Sequence, residues 1–167
     1  MYRTEEDLRQ YLIPKVFLLL SVFVLLLPGC GKKPEEERNS LVITAAETAG
    51  LLETARYAKS LCPKIKVRIN TNGLSDLING RDTTEDLRGV IDAVSISLNA
   101  KGPEEYLALC HPRFGLQAFD AMIDYTRRVK EVIPDVTMSI VGGTIPRDDV
   151  EPCRKIAEEL GVKFRIR

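Results

Sequence analysis

Apolar and polar residues alternate in four short segments of the chain, and each segment ends in polar groups. The segments span residues 65–70, 92–98, 136–141 and 162–167. Stretches with helical spacing separate them, which predicts parallel strands in βαβ units. Parallel strands are normally apolar on both faces, because helices cover both sides of the sheet. A recurrent polar face therefore predicts strands that line a cavity holding something polar.

The rest of the pattern predicts one further strand and a series of helices. A short apolar run at 41–45 is the candidate first strand. Periodicity and capping residues predict helices at 47–61, 83–90, 103–110, 116–132 and 148–160. The polar stretch 74–82 predicts a loop. Together these elements predict an α/β fold, a partial (βα) barrel of parallel strands over residues 41–167.

Ligands of such arrays bind at the carboxyl ends of the parallel strands. The residues at or just after those ends form the predicted binding face: Asn70, Thr71, Asn72, Gly73, Ser97, Asn99, Val141, Gly142, Gly143, Arg165 and Arg167. Each has an ordinary alternative, because asparagine and glycine often form turns and basic residues are often simply exposed. Gly142 and Gly143 form either a flexible loop or a close backbone approach to a ligand. Four polar strand ends on one face predict a polar ligand site more strongly than any one of them.

Composition and charge limit the classes of ligand. The 167 residues have a formal net charge of zero, which gives no electrostatic argument for nucleic acid or an acidic membrane. The single histidine begins the segment 111–115. This segment is either a loop that covers the barrel mouth or binds a phosphate, or a helix-to-helix corner with Phe114 packed inward. Free thiols on or beside helices are expected for the four cysteines, which are widely spaced and form no CxxC pair: Cys30, Cys62, Cys110 and Cys153.

Residues 1–40 differ in character from the rest of the chain. Residues 16–27 form an apolar run broken only by Ser21, a length typical of the hydrophobic region of a signal peptide. The ending Leu-Pro-Gly-Cys at 27–30 resembles a bacterial lipobox, in which Cys30 would be acylated and 32–40 would be a polar tether. The alternative is a buried helix or strand of the main domain, because length alone cannot separate the two.

Several segments of the body together resemble the rear part of radical S-adenosylmethionine (SAM) proteins. Within that superfamily, they are most similar to the group associated with TatD-type nucleases. The resemblance covers about residues 51–167. It is carried by the segments VRINTNG at 67–73, NGRD at 79–82, DAVSISLNA at 92–100, PRFG at 112–115 and CRKIAEELGVKFRIR at 153–167.

This resemblance implies an incomplete radical SAM-type core in the cytoplasm, with SAM at the strand ends and a [4Fe–4S] cluster in front of it. By the family pattern, six matching positions would contact SAM and are the predicted binding residues: Asn70, Asn72, Ser97, Asn99, Val141 and Arg165. The family holds its cluster with a CxxxCxxC loop, and this chain contains no such sequence. Of the family's glycine–glutamate motif, residues 44–48 keep only Glu47.

The sequence therefore predicts a radical SAM-like domain with a residual SAM site that is not competent for radical catalysis alone. Two alternatives are open: a lipid-anchored binding or structural module held at a membrane through Cys30, and a chimera without an evolved function. An open barrel edge would favour a dimer or a complementing fragment as partner. No feature indicates nucleic acid.

If the lipobox interpretation is correct, Cys30 becomes the acylated first residue of the mature chain in the membrane fraction. Intact-mass spectrometry of membrane and soluble fractions measures this, and a Cys30→Ser variant, which lacks the acylated thiol, should remain unprocessed. A chain that retains Met1 in the soluble fraction would contradict the interpretation.

Overall fold

The computed structural model describes residues 40–44 and 48–167, with side chains from residue 50 onward. Five parallel strands form one sheet in the order β1-β2-β3-β4-β5. The strands are β1 (Ser40–Thr44), β2 (Lys66–Thr71), β3 (Ala93–Ser97), β4 (Asp135–Ile140) and β5 (Lys163–Ile166). Spatial order follows chain order, so each strand lies beside the next one along the chain.

Helices connect successive strands. They are α1 (Thr48–Leu61), α2 (Ser75–Asn79), α3 (Pro103–Cys110), α4 (Gln117–Val132) and α5 (Arg147–Glu159), with a 3₁₀ turn at Glu85–Leu87. Pro103 occupies the first turn of α3, where its missing N–H is not needed. Gly161 follows α5 with a φ of 68°, a left-handed conformation that glycine adopts without strain.

The apolar residues of the alternating strands form one buried face of the sheet. Val67, Ile96 and Met138 are each 0% exposed and lie on the three central strands. Residues of α1, α4 and α5, including Ala55, Met122 and Ala157, belong to the same buried cluster. The helices thus cover the apolar face, and burial of this face is the main favourable term in folding.

The prediction of an α/β fold with a parallel sheet is confirmed, and the alternating segments are its strands. The described sheet is open, with β1 and β5 at its two edges. No helix among the described residues is long and apolar enough to cross a membrane. The lipobox-like segment and Cys30 lie outside the described residues, so the division at residue 40 stays a prediction.

Two predictions between β2 and β3 were wrong. Residues 74–82 were expected to be a loop but contain α2, and the helix expected at 83–90 is only a 3₁₀ turn. Asp76 of α2 accepts hydrogen bonds from the Thr83 N–H at 2.9 Å and hydroxyl at 2.6 Å. Asp82 accepts one from the Thr84 N–H at 2.8 Å. The threonines expected to cap a helix therefore have carboxylates as partners instead.

Asp92 joins α1, β2 and β3 at the amino-terminal edge of the sheet. Its carboxylate accepts the Val67 N–H at 2.8 Å and lies 2.9 Å from the Lys59 ammonium and 3.5 Å from that of Lys66. Burial opposes ionisation of this carboxyl group. The Val67 N–H and the two lysines outweigh burial and lower the pKa of Asp92 below its ordinary value.

An Asp92→Asn variant should lose about 1–2 kcal/mol of unfolding free energy at neutral pH, because hydrogen bonds to charged groups are the stronger ones. A lowered folded-state pKa stabilises the protein above the unfolded-state pKa, and this stabilisation is lost as pH falls through the folded-state pKa. The difference between wild type and variant should therefore shrink below about pH 4. Urea unfolding at a series of pH values measures both effects.

Asp124→Asn is the matched control, because Asp124 pairs with Arg127 on an exposed helix surface. Exposed pairs contribute little to stability. An equal loss in both variants would contradict the role assigned to Asp92.

Candidate functional site

The second face of the sheet is polar across β2, β3, β4 and β5. Residues paired in register lie side by side on the same face of a parallel sheet. One row runs Asn70, Ser95, Thr137 and Lys163, and the next row towards the carboxyl ends runs Ser97, Ser139 and Arg165. We call these seven residues the polar face. The sequence prediction of a recurrent polar face is confirmed.

Three side-chain oxygens at or beside the polar face are buried and have no hydrogen-bond partner among the described residues. They are Ser95 Oγ, Asn70 Oδ1 and Asn99 Oδ1. Ser95 is only 1% exposed and lies at the centre of the sheet, next to Asn70 on β2 and Thr137 on β4. An unpaired buried polar group costs about 1–3 kcal/mol and calls for an explanation.

Ser139 shows the contrasting arrangement one strand away. Its side chain is also fully buried, and its Oγ donates to the Ile96 carbonyl at 3.3 Å. Both serines are small polar residues on the same face of adjacent central strands. The orphaned oxygen of Ser95 is therefore not a general property of this face.

Three of the six predicted binding residues belong to the polar face. Asn70 and Ser97 lie at the carboxyl-terminal ends of β2 and β3, and Arg165 lies beside Ser139 on β5. Arg167 donates from its guanidinium to Ser97 Oγ at 3.1 Å. The carboxyl-terminal end of the face therefore combines hydroxyl groups with two arginines.

Asn72 and Val141 make local contacts instead. Asn72 is exposed, and its Oδ1 accepts the Leu74 N–H at 3.2 Å, which is the side-chain turn considered as its alternative. Val141 is 39% exposed and its carbonyl accepts the Thr144 hydroxyl at 2.7 Å. Neither side chain makes a described contact to the polar face.

Asn99 lies two residues beyond Ser97 and adopts a left-handed backbone conformation, with a φ of 57°. Its Nδ2 lies 3.9 Å from the Cys110 sulfur at the end of α3. Burial raises the pKa of the Cys110 thiol, and the asparagine contact only partly opposes this. The thiol is therefore protonated at neutral pH, which does not favour a nucleophilic role.

Gly142 and Gly73 have close neighbours within the protein. A side chain at Gly142 would meet the Arg167 carbonyl at 3.2 Å, and the Gly142 N–H donates to that carbonyl at 2.8 Å. A side chain at Gly73 would meet Met122 of α4 at 3.0 Å. Glycine at these positions is explained by packing against β5 and α4.

The selection from sequence omitted Ser95, Thr137 and Ser139, which form the centre of the polar face. Their alternation with apolar residues was visible in the sequence. The selection instead favoured residues at and after the strand ends, and so included Asn72 and Val141. The alternation predicts which face each residue occupies, and the pairing of adjacent strands then shows that these three residues lie side by side at the centre.

The segment 111–115 is a helix-to-helix corner between α3 and α4. Phe114 is partly buried and packs against the apolar cluster, and the Arg113 guanidinium lies 4.5 Å from the centre of its ring. The Gly115 N–H donates to the Pro112 carbonyl at 3.1 Å and closes the turn. The corner interpretation is confirmed.

Cys62, Cys110 and Cys153 are free thiols, as expected. Among residues 40–44 and 48–167, no three histidine, cysteine, aspartate or glutamate side chains lie close enough to hold a metal ion.

No family model matches the chain, and no curated protein sequence matches it.

Ser95→Ala should leave stability unchanged or raise it by up to about 1 kcal/mol when no ligand is bound, because it removes a buried hydroxyl without a partner. Ser139→Ala removes the hydrogen bond to Ile96 and should cost about 1 kcal/mol. Thermal and urea unfolding of the two variants measure the contrast. A larger loss for Ser95→Ala than for Ser139→Ala would show that Ser95 Oγ has a partner in the folded protein.

Proposed function

We propose that this chain is a radical SAM-like binding domain whose polar face takes SAM or a closely related small molecule. The observation that carries the proposal is the set of three buried oxygens, on Asn70, Ser95 and Asn99, that have no hydrogen-bond partner in the part of the chain that the structure describes. Desolvating these groups costs free energy that internal hydrogen bonds do not recover. A ligand with hydroxyl, amino or ammonium donors would recover it by donating to them.

The donor and acceptor chemistry of the polar face suits a zwitterionic nucleoside ligand. Asparagine amides and serine hydroxyls both donate and accept, so they suit ribose hydroxyls and a purine edge. Arg165 is exposed and forms no ion pair with a described carboxylate, so its guanidinium suits a ligand carboxylate. Asn72 and Val141 belong to the proposal only through the family resemblance.

The proposed role is binding and not radical cleavage. Reductive cleavage of SAM in the family needs a [4Fe–4S] cluster, and cluster binding needs closely placed thiolates. The three described cysteines include exposed Cys62 and buried Cys153, and they belong to no group of potential ligands among the described residues. The described cysteines do not fit an iron–sulfur cluster, so the proposed function does not include one. A cytoplasmic location is part of this proposal, since it rests on the same resemblance.

Equilibrium dialysis of the full chain against labelled SAM tests the proposal, with S-adenosylhomocysteine as competitor. Saturable binding is expected. Ser97→Leu should weaken binding by about tenfold or more, which is about 1.4 kcal/mol, because it places a bulky apolar group on the polar face.

Ser60→Leu is the matched control, since Ser60 is exposed on α1 and undergoes the same chemical change. It should bind SAM like the wild type. Circular dichroism of both variants separates loss of binding from loss of fold. Absence of saturable binding by the folded wild type, or equal weakening in the two variants, would refute the proposal.

A further inference from the structure

β5 is the last strand in the sheet order, and it pairs only with β4 among the described residues. Just past its end, the Arg167 N–H donates to the Ile140 carbonyl, and the Arg167 carbonyl accepts the Gly142 N–H. Both backbone groups of Arg167 thus face β4. Since backbone groups alternate along a strand, those of Phe164 and Ile166 face outward from the sheet. This outer edge of β5 offers two donors and two acceptors to another strand.

The outer edge of β5 carries its uncompensated positive charge on the polar face of the sheet. Arg165 lies on the polar face and has no acidic partner among the described residues, whereas Lys163 pairs with Asp135 at 2.9 Å. On the apolar face, the Arg154 guanidinium lies over the Phe164 ring at 4.9 Å and pairs with Glu151 at 3.3 Å. Ile166 is 49% exposed on that same face, so the edge also presents apolar surface.

This charge pattern disfavours pairing of the edge with a second copy of itself. In a two-fold antiparallel pair of β5 strands, residues on the same face would meet their own kind. Arg165 and Lys163 would then face arginine and lysine of the other copy. Like charges directly opposite one another destabilise a strand pair. The charges at this edge therefore disfavour pairing with a second copy and favour a strand of opposite charge.

We propose that the outer edge of β5 binds an extended segment of a partner protein in which acidic and apolar residues alternate. The segment adds to the sheet as a sixth strand and forms backbone hydrogen bonds with Phe164 and Ile166. Its carboxylates lie beside Arg165, and its apolar side chains cover Ile166 and the Phe164 ring. The inference uses the sheet edge and does not depend on SAM binding.

The probe is a capped peptide of roughly six residues, the usual length of a strand, that alternates glutamate and valine. A second peptide has lysine in place of glutamate. Titration of the ¹⁵N-labelled full chain with each peptide should shift the amide signals of Phe164 and Ile166 with the acidic peptide only. Equal shifts with the two peptides, or no shift with either, would overturn the inference.

Two substitutions at Ile166 separate the backbone donor from the side chain. Ile166→Pro removes the outward N–H and no hydrogen bond to β4, so it should weaken binding of the acidic peptide by about tenfold or more. Ile166→Ala keeps the N–H and loses only apolar contact, so it should weaken binding less than Ile166→Pro does. Equal affinities of the proline and alanine variants would count against strand addition.

Arg165→Glu provides a test that does not depend on how proline is tolerated. It should reverse the preference, so that the lysine peptide binds more tightly than the glutamate peptide. Sedimentation of the full chain without peptide tests whether a second copy of the chain binds the edge instead. A dimer that Ile166→Pro abolishes would assign the edge to a second copy and overturn the proposal.

Discussion

The structure depends on alternation within the central strands β2, β3 and β4, which directs their apolar residues towards the helices and their polar residues to the other face of the sheet. Val67, Ile96 and Met138 are fully buried beneath the helices, while Ser95 and Ser139 point to the other side. A register slip of one residue would exchange the two faces of a strand. It would bury serine under the helices and leave valine or isoleucine on the polar side. Register is therefore strongly specified, and the polar face is a direct product of the same constraint.

Polar contacts at the amino-terminal edge reinforce this register. Asp92 accepts the Val67 N–H and returns its own N–H to the Val67 carbonyl at 2.9 Å, which ties the start of β3 to β2. Asp135 lies 3.3 Å from the Arg68 guanidinium and 2.9 Å from the Lys163 ammonium, so it links β2 and β5 to β4. The carboxylates are thus satisfied at one end of the sheet. The oxygens without partners lie farther along the strands, on the side where parallel sheets bind ligands.

The fold was largely predictable from the sequence because strand and helix periodicities differ and Pro103 and Gly161 mark helix ends. The segment between β2 and β3 was not, since the hydroxyl groups of Thr83 and Thr84, which were expected to cap a helix, donate to Asp76 and Asp82 instead. The site was predictable only in part. Asn72 resembles a ligand-binding strand end but forms a local turn, and Ser139 is placed at the centre of the polar face only once strand pairing is known.

The buried oxygens of the polar face and the outward backbone groups of β5 favour different binding partners. The oxygens of Asn70 and Ser95 are buried and have no partner among the described residues, so a ligand with well-placed donors would offset their desolvation. The backbone groups at the outer edge of β5 belong to exposed residues such as Ile166, so water satisfies them at little cost. A partner strand must therefore contribute apolar contact and opposite charge beyond the hydrogen bonds that it replaces. We therefore expect the polar face to select a ligand by hydrogen-bond geometry and the edge to select a partner strand by charge.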